Sequence, residues 1–260
     1  GKGTYYFSNG DEYVGEWKRG RKFGKGQGSF SFENGDKYEG QFKNGQKHGK
    51  GKYIEKNGYV YEGNWQNDER NGYGEYTYEN NDKYSGLFKN NLRHGKGKYS
   101  YVNGNTYDGM WVKGFENGYG VFTWSDTDKY EGNWKDGWRT GKGKYFYESG
   151  TIYEGNFIDN IAEGKGTITY LDGTKYVGEF KDGNEHGQGI MEYPNGDRYE
   201  GQFKDAYEHG QGKMVYSNGT IYEGLWENGK EAEGKTTLAK FTTDEKYYAL
   251  IIGNNNYEKL

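Results

Sequence analysis

The chain has 260 residues, of which 47 are glycine and 29 tyrosine, with one proline and no cysteine. The absence of cysteine excludes a disulfide framework, a zinc–thiolate site and a cysteine nucleophile within it, and no apolar run is long enough for a membrane-spanning helix. Thirty-five basic against 39 acidic residues give a net charge of −4 and no expectation of nucleic-acid binding, while 19% aromatic residues set the chain apart from disordered sequences.

The chain opens within a repeat, at Gly1-Lys2-Gly3, so a missing targeting signal there carries no information. A Tyr-x-Gly-x-(Trp/Phe) unit then recurs ten times, with its tyrosines at Tyr13, Tyr38, Tyr61, Tyr84, Tyr107, Tyr130, Tyr153, Tyr176, Tyr199 and Tyr222. The first spacing is 25 residues and the other eight are 23. The last position of the unit is always Trp or Phe, from Trp17 and Phe42 to Trp226. A Gly-x-Gly ends ten residues before each tyrosine, as at Gly49/Gly51, and the two extra residues of the first spacing fall between Trp17 and Gly26.

Within each unit the period is two, which predicts strands. An alternating aromatic run such as Tyr76/Tyr78 or Tyr99/Tyr101 follows Gly-x-Gly, then a turn such as Asn34-Gly35 or Asn103-Gly104. These Asn-Gly pairs predict type I′ hairpin turns with positive φ at both positions, replaced by Asn80-Asn81 and Thr127-Asp128 in two units. A second loop, such as Lys43-Asn44-Gly45-Gln46-Lys47, leads to the next unit. Tyrosine, glycine and Trp/Phe share one sheet face, where a ring from a neighbouring strand is expected to lie over the bare glycine. The other face carries acids such as Glu39, Glu62 and Glu154 beside lysines such as Lys37 and Lys43, with signs that largely cancel. One hairpin cannot bury enough surface to fold alone, so stacking supplies the rest.

Units such as YEGQFKNGQKHGKGKY, from Tyr38 to Tyr53, resemble the MORN (membrane occupation and recognition nexus) repeat, over residues 1 to about 236. The resemblance implies an all-β, elongated, twisted antiparallel ribbon of about ten stacked hairpins. It further implies scaffolding, dimerisation or membrane attachment, and no catalysis.

Beyond about Thr236 the pattern stops, and the segment Lys246–Gly253, with the aliphatic run Ala249-Leu250-Ile251-Ile252, reads as a strand buried on both faces. Tyr248-Ala249-Leu250-Ile251-Ile252-Gly253-Asn254-Asn255-Asn256-Tyr257 resembles the first strand and loop of caspase-like (clan CD, metacaspase-type) cysteine peptidases. On that resemblance residues 237–260 are a linker and the start of an α/β domain that continues past Leu260, where its catalytic His and Cys would lie. Another α/β domain with a similar first strand is the alternative.

Other motifs favour structural readings. Gly229-Lys230-Glu231-Ala232-Glu233-Gly234-Lys235-Thr236 matches a phosphate-binding loop string, but it lacks a following helical pattern, and Glu231 and Glu233 would repel phosphate. His48, His94, His186 and His209 occupy one column of different repeats and cannot converge on a metal. No cofactor is implied. Most aromatic rings read as core. The part left open as a partner-binding face is taken from Tyr61, Trp65, Tyr84, Phe88, Tyr107, Trp111, Trp124, Tyr130, Trp134 and Trp138. The lysine columns Lys50/Lys52, Lys96/Lys98 and Lys142/Lys144 are candidates for phospholipid headgroups. The expected function is a non-catalytic scaffold that locates, assembles or regulates an attached peptidase. Its partners would be a protein or peptide, or a second copy. The alternative is a module on an anionic membrane, and either reading places the chain in the cytoplasm or at the membrane periphery.

Overall fold

The computed structural model describes residues 1–18, 21–22, 26–238 and 251–253. They form strands only, divided between a unit at Gly1–Gly137 and a unit at Trp138–Leu260. The first unit holds β1 (Lys2–Tyr6), β2 (Glu12–Lys18), β3 (Arg21–Lys22), β4 (Gly26–Ser31), β5 (Lys37–Lys43), β6 (Gln46–Ile54), β7 (Val60–Gln66), β8 (Glu69–Thr77), β9 (Lys83–Lys89), β10 (Leu92–Ser100), β11 (Thr106–Val112), β12 (Phe115–Thr123) and β13 (Lys129–Lys135). The second holds β14 (Trp138–Phe146), β15 (Ile152–Ile158), β16 (Ile161–Thr169), β17 (Lys175–Lys181), β18 (Asn184–Glu192), β19 (Arg198–Lys204), β20 (Tyr207–Val215), β21 (Thr220–Glu227), β22 (Lys230–Leu238) and β23 (Ile251–Gly253). In each unit consecutive strands pair antiparallel, except that in the first unit β2 pairs with β4 and the short β3 pairs with the end of β2.

The predicted turns exchange roles. Asn44 and Gly45 have φ of 53° and 88°, and Lys43 pairs with Gln46, so the second loop is the two-residue type I′ turn. Asn67-Asp68, Asn90-Asn91, Lys113-Gly114 and Asp205-Ala206 repeat it with positive φ at both residues. At Asn103-Gly104 only the glycine is left-handed, at 94°. There Gly104 N donates to Tyr101 O and Tyr101 N to Asn105 O, the pattern of a three-residue loop built on a type I turn. The asparagine is held out of the left-handed region because its own Oδ1 accepts from the N–H two residues on, 3.1 Å away at Asn105. Asn81 and Thr127 fill the left-handed position in the two exceptional units, at 67° and 80°.

Both ends of each hairpin are tied to the next. At the type I′ end, Asp68 N donates to Lys47 O and Asp68 Oδ1 accepts from Lys47 N at 2.8 Å; Asn91 and Arg70 repeat the arrangement. At the opposite end Asp36 Oδ1 accepts from Lys56 N at 2.9 Å, and Asp82 Oδ1 from Val102 N at 2.7 Å. These bonds satisfy turn backbone groups that the ladders leave over.

The aromatic face is ordered by a row of glycines facing one another from strand to strand. In the first unit it includes Gly40, Gly51, Gly63, Gly74, Gly86, Gly97 and Gly109. The ring over Gly40 comes from its own strand, a correction to the expected neighbour: Tyr38 bends back, and its hydroxyl donates to Gln41 O at 2.8 Å. The same ring also lies over Gly51 on the next strand, so one tyrosine covers two glycines. Within a unit such a tyrosine meets the Trp/Phe of its own strand and, where a further repeat follows, that of the next repeat edge-on, as Tyr61 does Trp65 at 5.0 Å and Phe88 at 5.2 Å. The core is therefore one ring deep, and it is continuous within each unit.

Gly-x-Gly serves two purposes. Gly49 sits in a bulge with φ of 63°, and Gly51 in the ring-covered row. The register jumps from Gly40↔Gly51 to Phe42↔Lys47, which inserts two extra residues into the longer strand.

Of the segment expected to start an α/β domain, only Ile251–Gly253 is described. Ile251, Ile252 and Gly253 pair antiparallel with Thr237, Thr236 and Lys235 of β22, extending the repeat sheet by one strand. The remainder of the caspase-like string, Tyr248–Leu250 and Asn254–Tyr257, lies outside the described residues.

Candidate functional site

Eight of the ten candidate aromatic residues are core. Tyr61, Trp65, Tyr84, Phe88, Tyr107, Trp111, Tyr130 and Trp134 are at most 7% exposed, because rings of successive repeats cover one another. Burial pushes the Tyr61 phenol up to about 12. Trp124 is half-buried, and Trp138 is 53% exposed. A single sheet thus hides its long aromatic face more fully than its sequence suggests.

What roofs that face is the second residue after each two-residue type I′ turn. Residues 47, 70, 93 and 116 of the first unit lie on the aromatic side, and the bulge sets each of them opposite the Trp/Phe of the preceding strand. Lys47 Nζ lies 4.4 Å from the ring centres of both Tyr53 and Trp65. The Arg70 guanidinium is 4.8 Å from Tyr76, and that of Arg93 is 4.2 Å from Trp111. Arg70 and Arg93 each donate one Nη2 hydrogen bond to the next loop, to Asn91 O at 3.1 Å and Gly114 O at 2.7 Å. Among the described residues no carboxylate lies within ion-pair distance of these three cations. Burial lowers the Lys47 pKa, opposed by the charge of Asp68 and, more weakly, of Asp36 and Glu55.

In the second unit the same column changes sign: Arg139, Ala162, Glu185, Glu208, Glu231. The three glutamates accept hydrogen bonds from the hydroxyls of Tyr170, Tyr193 and Tyr216 respectively. Glu185 is 4% exposed and so is closed to a partner. Alternation alone leaves this column on the aromatic side, since two inserted residues keep the count even; what alternation does not show is the pairing opposite the Trp/Phe of the preceding strand, which the bulge sets.

The opposite face carries the candidate lysines. Lys52 pairs with Glu62 at 3.5 Å and Lys144 with Glu154 at 3.3 Å, the glutamates exposed and the lysines partly so, and Lys98 faces Asp108 across the ladder. Lys50 and Lys96 stand in a row with Tyr73, Leu87, Met110 and Tyr119. These four apolar or aromatic side chains are 42–59% exposed. Lys50, Lys52, Glu62, Tyr73 and Glu75 line an open depression of about 390 Å³ there. In the second unit Val177 and Ile190 lie in another, beside Lys165, Glu179 and Glu200.

The remaining motifs resolve as architecture. Lys230–Leu238 is strand β22, hydrogen-bonded to β21, so the phosphate-loop string offers no cradle of free amides. His48, His94, His186 and His209 lie in the bulged segments of β6, β10, β18 and β20. Among the described residues no cluster of metal-ligating side chains forms, and no helix is long and apolar enough to cross a membrane.

Comparison with known proteins gives one family. The MORN repeat matches eleven consecutive segments: residues 1–12, 13–37, 38–58, 61–83, 84–106, 107–129, 130–152, 153–175, 176–198, 199–221 and 222–242. No curated protein matches. Among solved structures, a point mutant of the TCP10 domain of Danio rerio CPAP is 14% identical, with 88% of this chain and 99% of that chain covered and a TM-score of 0.32. The TCP domain of Drosophila melanogaster SAS-4 (dCPAP), in complex with a proline-rich motif of Ana2 (dSTIL), is 15% identical, with 76% and 86% covered and a TM-score of 0.27. Likeness this slight carries no functional argument.

Proposed function

Because the chain belongs to the MORN repeat family, we propose that it is a non-catalytic interaction module that displays repeat-specific side chains to a protein or peptide partner. The carrying observation is how conformity to the repeat divides with burial. The tyrosine, glycine and Trp/Phe of the shared column are almost all buried, whereas on the opposite face and in the loops positions that differ between repeats are exposed and, in the middle repeats, large and apolar. In the first unit these are Tyr73, Leu87, Met110, Phe115 and Tyr119, and in the second Trp138, Ile158 and Ile161, all 42–59% exposed. Exposed apolar rows among polar side chains mark binding surfaces.

The finer part of the proposal is that the partner, or a second copy of the chain, positions or regulates an attached caspase-like peptidase. Support for that part comes from the Tyr248–Tyr257 resemblance alone.

The test is selection of random peptides on the immobilised chain, repeated with Tyr119→Ser and Trp138→Ser. Enriched peptides that lose binding to either variant, with unchanged melting, support the reading. Equal binding to both variants, or no enrichment, refutes it. A second reading, attachment to an anionic membrane, is favoured by Lys50 and Lys96 standing among Tyr73, Leu87, Met110 and Tyr119. Flotation with anionic vesicles at low salt that is lost at physiological salt would support it.

A further inference from the structure

Resting on the protein-binding reading above, we propose that the aromatic face of the first unit is a carboxylate ladder: Lys47, Arg70 and Arg93 receive an acidic segment in polyproline II conformation with an acidic side chain at every third residue. The three cations occupy the same position of consecutive repeats, each two strands from the next. At about 4.8 Å per strand the step between them is about 9.6 Å.

Chain geometry then selects the ligand. A polyproline II segment places every third side chain on one side at intervals of about 9.3 Å, so two steps give about 18.6 Å against about 19.2 Å on the protein. A β-strand repeats on one side at about 6.7 or 13.3 Å, which misses the step. A helix repeats at about 10.5 Å over seven residues, drifting by about 1.8 Å after two steps.

The cations are arranged to receive carboxylates. Each is fixed against aromatic rings, and Arg70 and Arg93 each spend one Nη2 bond on a loop carbonyl, leaving donors of the guanidinium fork for a two-point contact. Asp68, Asp36 and Glu55 temper the charge of Lys47, so the arginines are the principal anchors. Glu116 occupies the next position of the column and would repel a fourth acid, which limits the ladder to three rungs. The second unit has Glu185, Glu208 and Glu231 in the corresponding column and cannot serve the same ligand.

The experiment is fluorescence anisotropy of the intact chain with labelled peptides of four Pro-Pro-Asp triplets, against Pro-Pro-Asn and Pro-Pro-Lys triplets and a β-forming peptide with Asp at alternate residues. The Asp-triplet peptide should bind, weaken with salt, and lose at least about tenfold in affinity to Arg70→Gln/Arg93→Gln, while Glu208→Gln changes nothing. Equal binding of the neutral or alternate-Asp peptide overturns the ladder, as does a folded double variant that binds like the parent. Should the double variant unfold, carbodiimide coupling on the unaltered chain decides: the peptide carboxylates should join Lys47, and coupling spread over other lysines overturns the proposal. Failure of every triplet peptide while randomly selected peptides still bind sinks the ladder alone; failure of both sinks the protein-binding reading as well.

Discussion

Replacing Gly63 with alanine puts a methyl group into the most crowded line of the fold. Its Cβ would lie 2.4 Å from Gly74 Cα on the neighbouring strand and 2.6 Å from Tyr61 Oη. The backbone contact cannot be relieved by a side-chain rotation, so either β7 and β8 part or the ring swings away with partial strand movement. Lifting the Tyr61 ring re-exposes roughly 150 Å² of apolar surface, worth about 4 kcal/mol at about 25 cal/mol per Å². It also forfeits the 2.8 Å hydrogen bond to Asn64 O, worth about 1 kcal/mol net. Partial relaxation should bring the cost to about 3–5 kcal/mol. Gly58→Ala is the control, because at φ of 98° with nothing within 4 Å it pays only backbone strain, about 1–2 kcal/mol. Urea unfolding followed by tryptophan fluorescence gives the difference, and hydrogen exchange on peptides covering Val60–Thr77 locates it, since neighbouring repeats carry the stability of an array. If Gly63→Ala proves no more destabilising than Gly58→Ala, the ring-over-glycine account is wrong.

Three other outcomes are expected. Thr127, a β-branched residue at φ of 80°, occupies the left-handed turn position that glycine fills in most repeats, so Thr127→Gly should stabilise by about 1 kcal/mol and raise the melting temperature by about 2–4 °C in calorimetry. Asp36 and Asp197 are held below the usual carboxylate value first by the N–H groups of Lys56 and Ser217; at Asp82 burial pushes upward but is outweighed by Val102 N–H, Asn80 and Tyr99. Because the folded pKa values are depressed, their stabilisation is complete above the ordinary carboxylate pKa and fades as pH falls through the depressed values. Melting should therefore drop between about pH 5 and 3 more steeply in the parent than in a variant with all three changed to Asn, the residue that Asn105 already supplies at the equivalent turn. Burial raises the phenols of Tyr61 and Tyr101 to about 12, so the neutral form stabilises the fold below the unfolded value near 10, and that contribution is lost as pH rises through the folded one. Phenolate absorbance of these buried rings should appear only together with unfolding seen by circular dichroism.

The amino-acid sequence by itself determined the repeat, the antiparallel strands, the division into an aromatic and a charged face, and the burial of the Tyr-Gly-(Trp/Phe) column. Those features follow from local chemistry: a period of two, and turn residues that tolerate positive φ. Only tertiary structure decided which turn is type I′. Asn44-Gly45 and Asn103-Gly104 are the same dipeptide, and the second is diverted by an Asx hydrogen bond and a three-residue loop. Tertiary structure also decided that Tyr38 folds back over its own strand's glycine, because the ring must meet the next repeat edge-on. The pairing of Lys47, Arg70 and Arg93 opposite Phe42, Trp65 and Phe88, and with it their position above the rings, was also settled there. Counting in twos back from Tyr53 keeps Lys47 on the aromatic side, because two inserted residues preserve the alternation, but the first glycine of Gly-x-Gly marks the bulge without showing which residue it sets opposite Phe42. The charged column is legible only when the strands are laid in register, since residues 23 apart become neighbours only through the strands between them.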